Sequence, residues 1–310
     1  MKIAILGAGA MGSLYATYLA GEAELTLVDS YAPQVEAINS NGVLRREANG
    51  AEHRFTGMKA ALSGSALGAQ DLVIVFVKST ATAQAMQENK GLVGPQTIVL
   101  TLQNGAGNNR DIARFVPRER IVVGTSSHNC VALEPGHISH SGCGPTNLGP
   151  DLPGPAGDAA CRKIAALLQA AGLEVHVSEN IQEVLWSKIF VNCCANPLSA
   201  LFDCTCGEIL DNAYLWKVCR RIVAEAVLVA EADGTYFDRR QVEENVRGVL
   251  QANRGGYPSM CQDRRNHRKT EIDKLNGTVA KLGGEYGIDT PCNRMLTELI
   301  HAAEEAYPQE

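Results

Sequence analysis

Short apolar runs open the chain, separated by stretches in which apolar positions recur every three to four residues. Lys2–Leu6, Leu25–Val28, Asp71–Val77, Gln96–Leu102 and Arg120–Gly124 read as strands. Leu72-Val73-Ile74-Val75-Phe76-Val77 has no polar position, which a strand tolerates when both of its faces are buried. The alternation predicts a mostly parallel sheet wrapped by helices. Leu133 to Pro155 is rich in Gly and Pro and reads as loop, after which a helix over Ala159–Ala171 and a strand over Leu173–Val177 complete a first domain, residues 1–178. Ile181–Ala195, Ala213–Ala232, Arg240–Ala252, Gln262–Leu282 and Pro291–Ala306 all carry helical periodicity, so residues 179–310 are expected to be all α.

Gly7-Ala8-Gly9-Ala10-Met11-Gly12 lies between the first strand and the first helix, the context in which G-x-G-x-x-G has a mechanical meaning. The first glycine makes the turn, the second lets backbone approach a pyrophosphate, and the third lets helix and strand pack closely. Gly7, Gly9, Ala10, Met11 and Gly12 are therefore expected to cradle a dinucleotide on the helix N-terminus. Asp29 ends the second strand, near the spacing at which a carboxylate meets the adenosine ribose. The expected fold is thus α/β: an N-terminal Rossmann domain, doubly wound, followed by an all-α C-terminal domain.

Composition narrows the partners. Twenty-eight basic against 34 acidic residues give a net charge of -6, no footprint for nucleic acid or an anionic membrane. No apolar stretch reaches the roughly 20 residues of a membrane span. Ile3–Gly21 does not read as a secretory leader, because Tyr15, Thr17 and Tyr18 interrupt it and its glycines suit a nucleotide loop. The expectation is a cytoplasmic protein acting on a small molecule. Ten cysteines, including Cys193-Cys194 and Cys204-x-Cys206, match no zinc framework and read as reduced core thiols, so no metal is expected. His128 reads as a hydrogen-bonded structural histidine, and Arg264-Arg265-Asn266-His267-Arg268-Lys269, flanked by Asp263 and Glu271, as a solvated helix face. The apolar face Ile222–Val229 packs either inside the domain or in a homodimer.

Lys188, Asn192 and Asn196 recur every four residues, sharing a helix face within an arc of about 80°. Pro197 should kink or end that helix. Leu185-Trp186-Ser187-Lys188-Ile189-Phe190-Val191-Asn192 with Asn196-Pro197-Leu198-Ser199-Ala200 resembles the central signature of the ketopantoate reductase family. Ser259-Met260-Cys261-Gln262-Asp263, Thr270-Glu271-Ile272-Asp273, Asn276-Gly277, Lys78 and Gln103-Asn104-Gly105 extend that resemblance over nearly the whole chain.

The resemblance implies reduction of 2-ketopantoate to pantoate, a step towards pantothenate and coenzyme A. It makes Lys188 the general acid that protonates the keto oxygen and Glu271 the group that holds the lysine or substrate in register. It sets Asn192 and Asn196 against the substrate's keto and hydroxyl oxygens and Ser259 against its carboxylate, while Lys78, Asn104 and Glu271 serve the cofactor side, Asn104 facing substrate as well. Ser259-x-x-Gln262 can equally form a capping box. The family habit is NADPH, gripped by an arginine after the second strand; Asp29-Ser30-Tyr31 has no arginine there and favours NADH, unless Arg45 or Arg46 reaches in. Pro258 stands where the family often has a second serine. The alternatives are reduction of another branched or hydroxylated 2-keto acid and, more remotely, a dinucleotide-binding redox sensor.

Overall fold

The structure is a computed structural model that describes residues 1–105 and 107–307. Two compact units divide the chain: Met1–Gln103 with Asn108–Val184, and Asn104–Gly107 with Leu185–Glu310. The division falls inside a helix.

In the first unit the strands are β1 (Lys2–Leu6), β2 (Glu24–Val28), β3 (Val43–Glu47), β4 (Glu52–Phe55), β5 (Lys59–Ala61), β6 (Leu72–Val75), β7 (Ile98–Thr101), β8 (Ile121–Ser126), β9 (Asn129–Glu134), β10 (His137–Gly142), β11 (Thr146–Pro150) and β12 (Val175–Val177). Eight of them form a sheet in the order β12-β11-β8-β7-β6-β1-β2-β5. From β5 to β8 all pairings are parallel and the strands run 3-2-1-4-5-6 in their order along the chain, the Rossmann arrangement. The order reverses between β1 and β6, which puts the Gly7 loop at the switch point. Fully buried β1, β6 and β7 side chains form the core with Leu14, Tyr15 and Leu19 of helix α1 (Ala10–Leu19). Helices α2 (Ala32–Asn41), α3 (Thr82–Glu88), α4 (Asn108–Ile112) and α5 (Pro155–Ala170) complete the unit.

The expectation of loop from Leu133 to Pro155 was wrong. That segment holds part of β9, β10 and β11; β11 pairs antiparallel with β8, and β4-β3-β10-β9 form a second sheet. These strands escape a hydrophobicity reading because β9 and β4 are largely exposed and β10 reads His-Ile-Ser-His-Ser-Gly.

Among the described residues the second unit has helices and no strand: α6 (Ile181–Phe202), α7 (Cys206–Asp211), α8 (Ala213–Ala232), α9 (Arg239–Ala252), α10 (Ser259–Arg265), α11 (Asn276–Tyr286) and α12 (Pro291–Glu305). The Ile222–Val229 face of α8 is buried in this unit's own core beside Trp186, Phe190 and Val246. Seven of the ten cysteines are buried, and none is in a disulfide. No helix of the described residues is long and apolar enough to cross a membrane.

One expectation about a helix is corrected, and of the kink or end expected at Pro197 the end does not occur. Helix α6 runs through Pro197 without ending. Proline has no N–H to return to the carbonyl four residues back, that of Cys193, and here the side-chain amide of Asn276 donates to it at 3.1 Å. The expected helix Gln262–Leu282 is instead broken after Arg265. His267 takes a left-handed conformation (φ 51°), and the amides of His267 and Arg268 donate to the carbonyls of Arg264 and Asp263, a Schellman ending built on His where Gly is usual.

Candidate active site

The dinucleotide loop of the first unit is over-determined at one peptide and open at the next. The Ala8 amide donates to Asp29 Oδ2 at 2.7 Å, and the Ala8 carbonyl accepts from Ser13 Oγ and Gln34 Nε2. Gly7 sits at φ +95°, where a Cβ would lie 2.6 Å from the Val77 amide nitrogen; a Cβ on Gly12 would lie 1.8 Å from the Gly7 carbonyl oxygen. Gly9 has nothing within 4 Å of its would-be Cβ, and the N-terminus of α1 has no side-chain cap. Open space before uncapped amides is what a pyrophosphate requires, so the loop fits a dinucleotide. The carboxylate of Asp29 also accepts from the Tyr31 amide at 2.9 Å, so this residue shapes the loop. Arg45 is committed elsewhere, to Glu47 at 2.7 Å and to Thr17 Oγ1, with its guanidinium over the rings of Tyr18 and Phe55. Arg46 pairs with Glu52. Lys78 is exposed just beyond β6. Gln103 ties the ends of β6 and β7 by donating to the Val77 carbonyl.

In the second unit, Asn104, Asn192, Asn196, Ser259, Asp263 and Glu271 line a small, partly open recess together with Met260 and Leu275. Each arrives for a local reason. Asn192 and Asn196 project from consecutive turns of α6. The break at His267 frees residues 268–271 from helix, and Glu271 enters at the start of the 3-10 turn Ile272–Lys274. Asn104 precedes Gly105, whose φ of +82° and approach to the Lys274 carbonyl, 2.3 Å from a would-be Cβ, exclude any side chain.

No capping box forms at Ser259. The N-cap of α10 is Pro258, Ser259 is the first helical residue, and its hydroxyl donates to Asn196 Oδ1 at 3.2 Å, as does the Met260 amide at 3.1 Å. The oxygen of Asn196 therefore fixes α10 to α6. Its amide group and the serine oxygen remain the chemically useful ends.

Lys188 stands one turn before Asn192. It is partly buried and its ammonium is heavily desolvated, which lowers its pKa from 10.5 to about 8; the carboxylate of Glu271 works in the opposite sense. A lysine near neutrality is still a proton donor at pH 7 and a better one than a free lysine. Sequence reasoning quoted Met260 and Asp263 within a family motif without giving either a part in the site, and missed Leu275. The i, i+4 step from Ser259 to Asp263 on α10 was the available signal. The basic run itself is mostly exposed: Arg265 pairs with Asp203 at 2.7 Å, and Arg264 donates to the Ala200 carbonyl.

The family model described as "Ketopantoate reductase PanE/ApbA" matches residues 3–152, and "Ketopantoate reductase PanE/ApbA C terminal" matches residues 180–304. The 2-dehydropantoate 2-reductase of Streptococcus pyogenes serotype M1 is 33% identical over 306 residues, 98% of each chain. That of Halobacterium salinarum is 33% identical over 305 residues, 98% of this chain and 99% of the relative. Among solved structures, a D-mandelate dehydrogenase in ternary complex with NADH and anilino(oxo)acetate has a TM-score of 0.91 at 33% identity, covering 99% of both chains. A ketopantoate reductase from Ralstonia eutropha JMP134 has a TM-score of 0.88 at 30% identity, covering 98% of this chain and 99% of the other.

Proposed function

Because the chain belongs to the ketopantoate reductase family, a family of NAD(P)-dependent oxidoreductases, we propose that it reduces 2-dehydropantoate to pantoate with NADH as the preferred cofactor and Lys188 as the general acid. The observation that carries this reading is Lys188, with a pKa of about 8 and a carboxylate partner, one turn from a recess lined by amides. Gly7, Gly9, Ala10, Met11 and Gly12 would hold the pyrophosphate, with Asp29 at the adenosine ribose and Lys78 and Asn104 toward the nicotinamide. The cofactor, when bound, supplies the hydride. Lys188 gives its proton to the keto oxygen as that oxygen gains charge, a contribution typically worth 10²–10⁴-fold. Asn192 and the amide group of Asn196 bind the keto and hydroxyl oxygens, and Ser259 the carboxylate. Glu271 holds the ammonium in register and keeps it protonated at neutral pH.

Preference for NADH is supported by the Asp29 carboxylate, which repels a 2′-phosphate, by Ser30 in place of arginine, and by the commitment of Arg45 and Arg46 to other partners. A second substrate reading has its own support: the D-mandelate dehydrogenase likeness and Pro258, which removes a hydroxyl beside Ser259, both suit a 2-keto acid with a different tail. Initial rates of NADH and NADPH oxidation, with 2-ketopantoate and with 2-keto-2-phenylacetate, on wild type and Lys188→Ala, test both. Turnover of ketopantoate, faster with NADH and down at least about 10²-fold in kcat in the variant, is the expected result. Faster turnover of the phenyl acid moves the substrate to the second reading, and full activity of Lys188→Ala removes the lysine from its role.

A further inference from the structure

The first unit gathers a second set of reactive side chains on its smaller sheet. His128 lies on the link from β8 to β9, His140 on β10 and Cys143 one residue past its end, and one ligand atom from each lies within 4.8 Å of the others. His128 Nδ1 and His140 Nε2 are 2.9 Å apart, and Cys143 Sγ is 3.7 Å from the same His140 nitrogen. In tetrahedral coordination with bonds of about 2.05 Å to nitrogen and 2.3 Å to sulfur, the N···N edge is about 3.35 Å and the N···S edge about 3.6 Å. The His140–Cys143 edge is thus already in place, the His128–His140 edge needs to open by about 0.4 Å, and the His128–Cys143 edge lies within 4.8 Å. We propose that His128, His140 and Cys143 form a binding site for a thiophilic divalent cation of the zinc type, held by His128 Nδ1, His140 Nε2 and Cys143 Sγ, with its fourth position open to water.

Surrounding groups suit this role. Glu47 faces His140 across the β3–β10 pairing, its Oε2 3.4 Å from His140 Nδ1, within ion-pair distance but not hydrogen-bonded, which sets a carboxylate behind the imidazole that offers Nε2 to a metal. Arg45 holds that carboxylate at 2.7 Å. The rings of Tyr15 and Tyr18 pack against His128, and Tyr18 also against His140, which fixes the imidazole planes. Cys143 is exposed and gives the ion a route in. The two imidazoles share one hydrogen bond, and the buried His128 Nε2 and His140 Nδ1 have no hydrogen-bond partner among the described residues. The bound ion would join the β8–β9 link to the end of β10, and so brace the second sheet beside α1.

Cobalt(II) titration of the full reduced chain, in a phosphine reductant, tests the site through the thiolate-to-cobalt charge-transfer band and the visible bands of a four-coordinate ion. One equivalent is expected to bind in the wild type, zinc to displace it, and the band to vanish in Cys143→Ser and fall with at least about 10-fold weaker binding in His128→Gln. Glu47→Gln keeps all three ligands and is expected to weaken binding about 10- to 100-fold. Circular dichroism checks that each variant is folded. Absence of a thiolate band in the wild type, or its survival in a folded Cys143→Ser, overturns the proposal.

Discussion

Replacing Asn276 by Leu tests how helix α6 survives Pro197. Asn276 is fully buried, and its Nδ2 donates to the Cys193 carbonyl at 3.1 Å and to Asn293 Oδ1 at 3.0 Å. Leucine keeps the branching of asparagine but carries bulkier methyl ends, so some overpacking adds to the loss of a donor by two buried acceptors, each costing about 1–3 kcal/mol. The expected destabilisation is therefore about 2–6 kcal/mol from the two acceptors. The Cys193 share exists only because residue 197 lacks an N–H, so Pro197→Ala supplies the missing donor and should remove about 1–2 kcal/mol of the cost of Asn276→Leu. Whatever Pro197→Ala does alone cancels in the double-mutant cycle. Both tryptophans, Trp186 and Trp216, lie in the second unit, so urea denaturation followed by tryptophan fluorescence reports this unit directly. A coupling energy within about 0.5 kcal/mol of zero would show that the Cys193 carbonyl does not depend on Asn276, and would refute the account of how the helix passes its proline.

Lys188→Met should abolish reduction yet stabilise the second unit. The folded pKa of about 8 lies below the ordinary 10.5, so the charged lysine costs stability at all pH values below about 8 and the cost fades as pH rises toward 10.5; removing it should gain about 1–3 kcal/mol at pH 7, read by the same denaturation. A variant no more stable than wild type at pH 7 would contradict the desolvation. Since the protonated lysine is the proposed donor, kcat should fall above about pH 8, and Glu271→Gln, which withdraws the charge that raises the pKa, should move that fall to lower pH; an unmoved or upward-moved limb would remove Glu271 from this role. The loop glycines should separate stability from binding. Gly9→Ala, with open space around it, should melt as wild type does but bind NADH at least about 10-fold more weakly in a fluorescence titration, while Gly7→Ala, facing the Val77 backbone at positive φ, should lower the melting temperature as well.

What could be read in the sequence was whatever depends on neighbours along the chain. The glycine loop, the buried strands β1, β6 and β7, the α8 and α9 helices and the four-residue spacing of Lys188, Asn192 and Asn196 all follow from local period and steric rules. Glu271 came into view only through resemblance, because its entry to the recess depends on a left-handed residue at His267, and histidine carries no signal for that conformation as glycine does. The second sheet was missed for a related reason: β3 and β10 pair in parallel although far apart in sequence, with polar or exposed side chains that show no alternation strong enough to mark them. That same pairing sets Glu47 opposite His140, and no spacing of Cys and His in one stretch of chain would suggest a carboxylate behind the ring.

Pro197 shows the converse, a strong local rule overridden from a distance. Proline inside a helix removes one donor, and the usual inference is that the helix ends because the freed carbonyl must find water. In α6 the carbonyl faces a core, so ending the helix would have buried more unsatisfied backbone than continuing it. Asn276 meets the need from α11, and Asn293, which accepts from it, is in turn anchored to Glu225 of α8 at 2.7 Å. The helix that carries Lys188 and two of the three recess asparagines is thereby held by a largely buried polar chain running through three other helices. The position of the recess side chains depends on residues that never touch it, which is why the Asn276 cycle is worth reading in kcat as well as in stability.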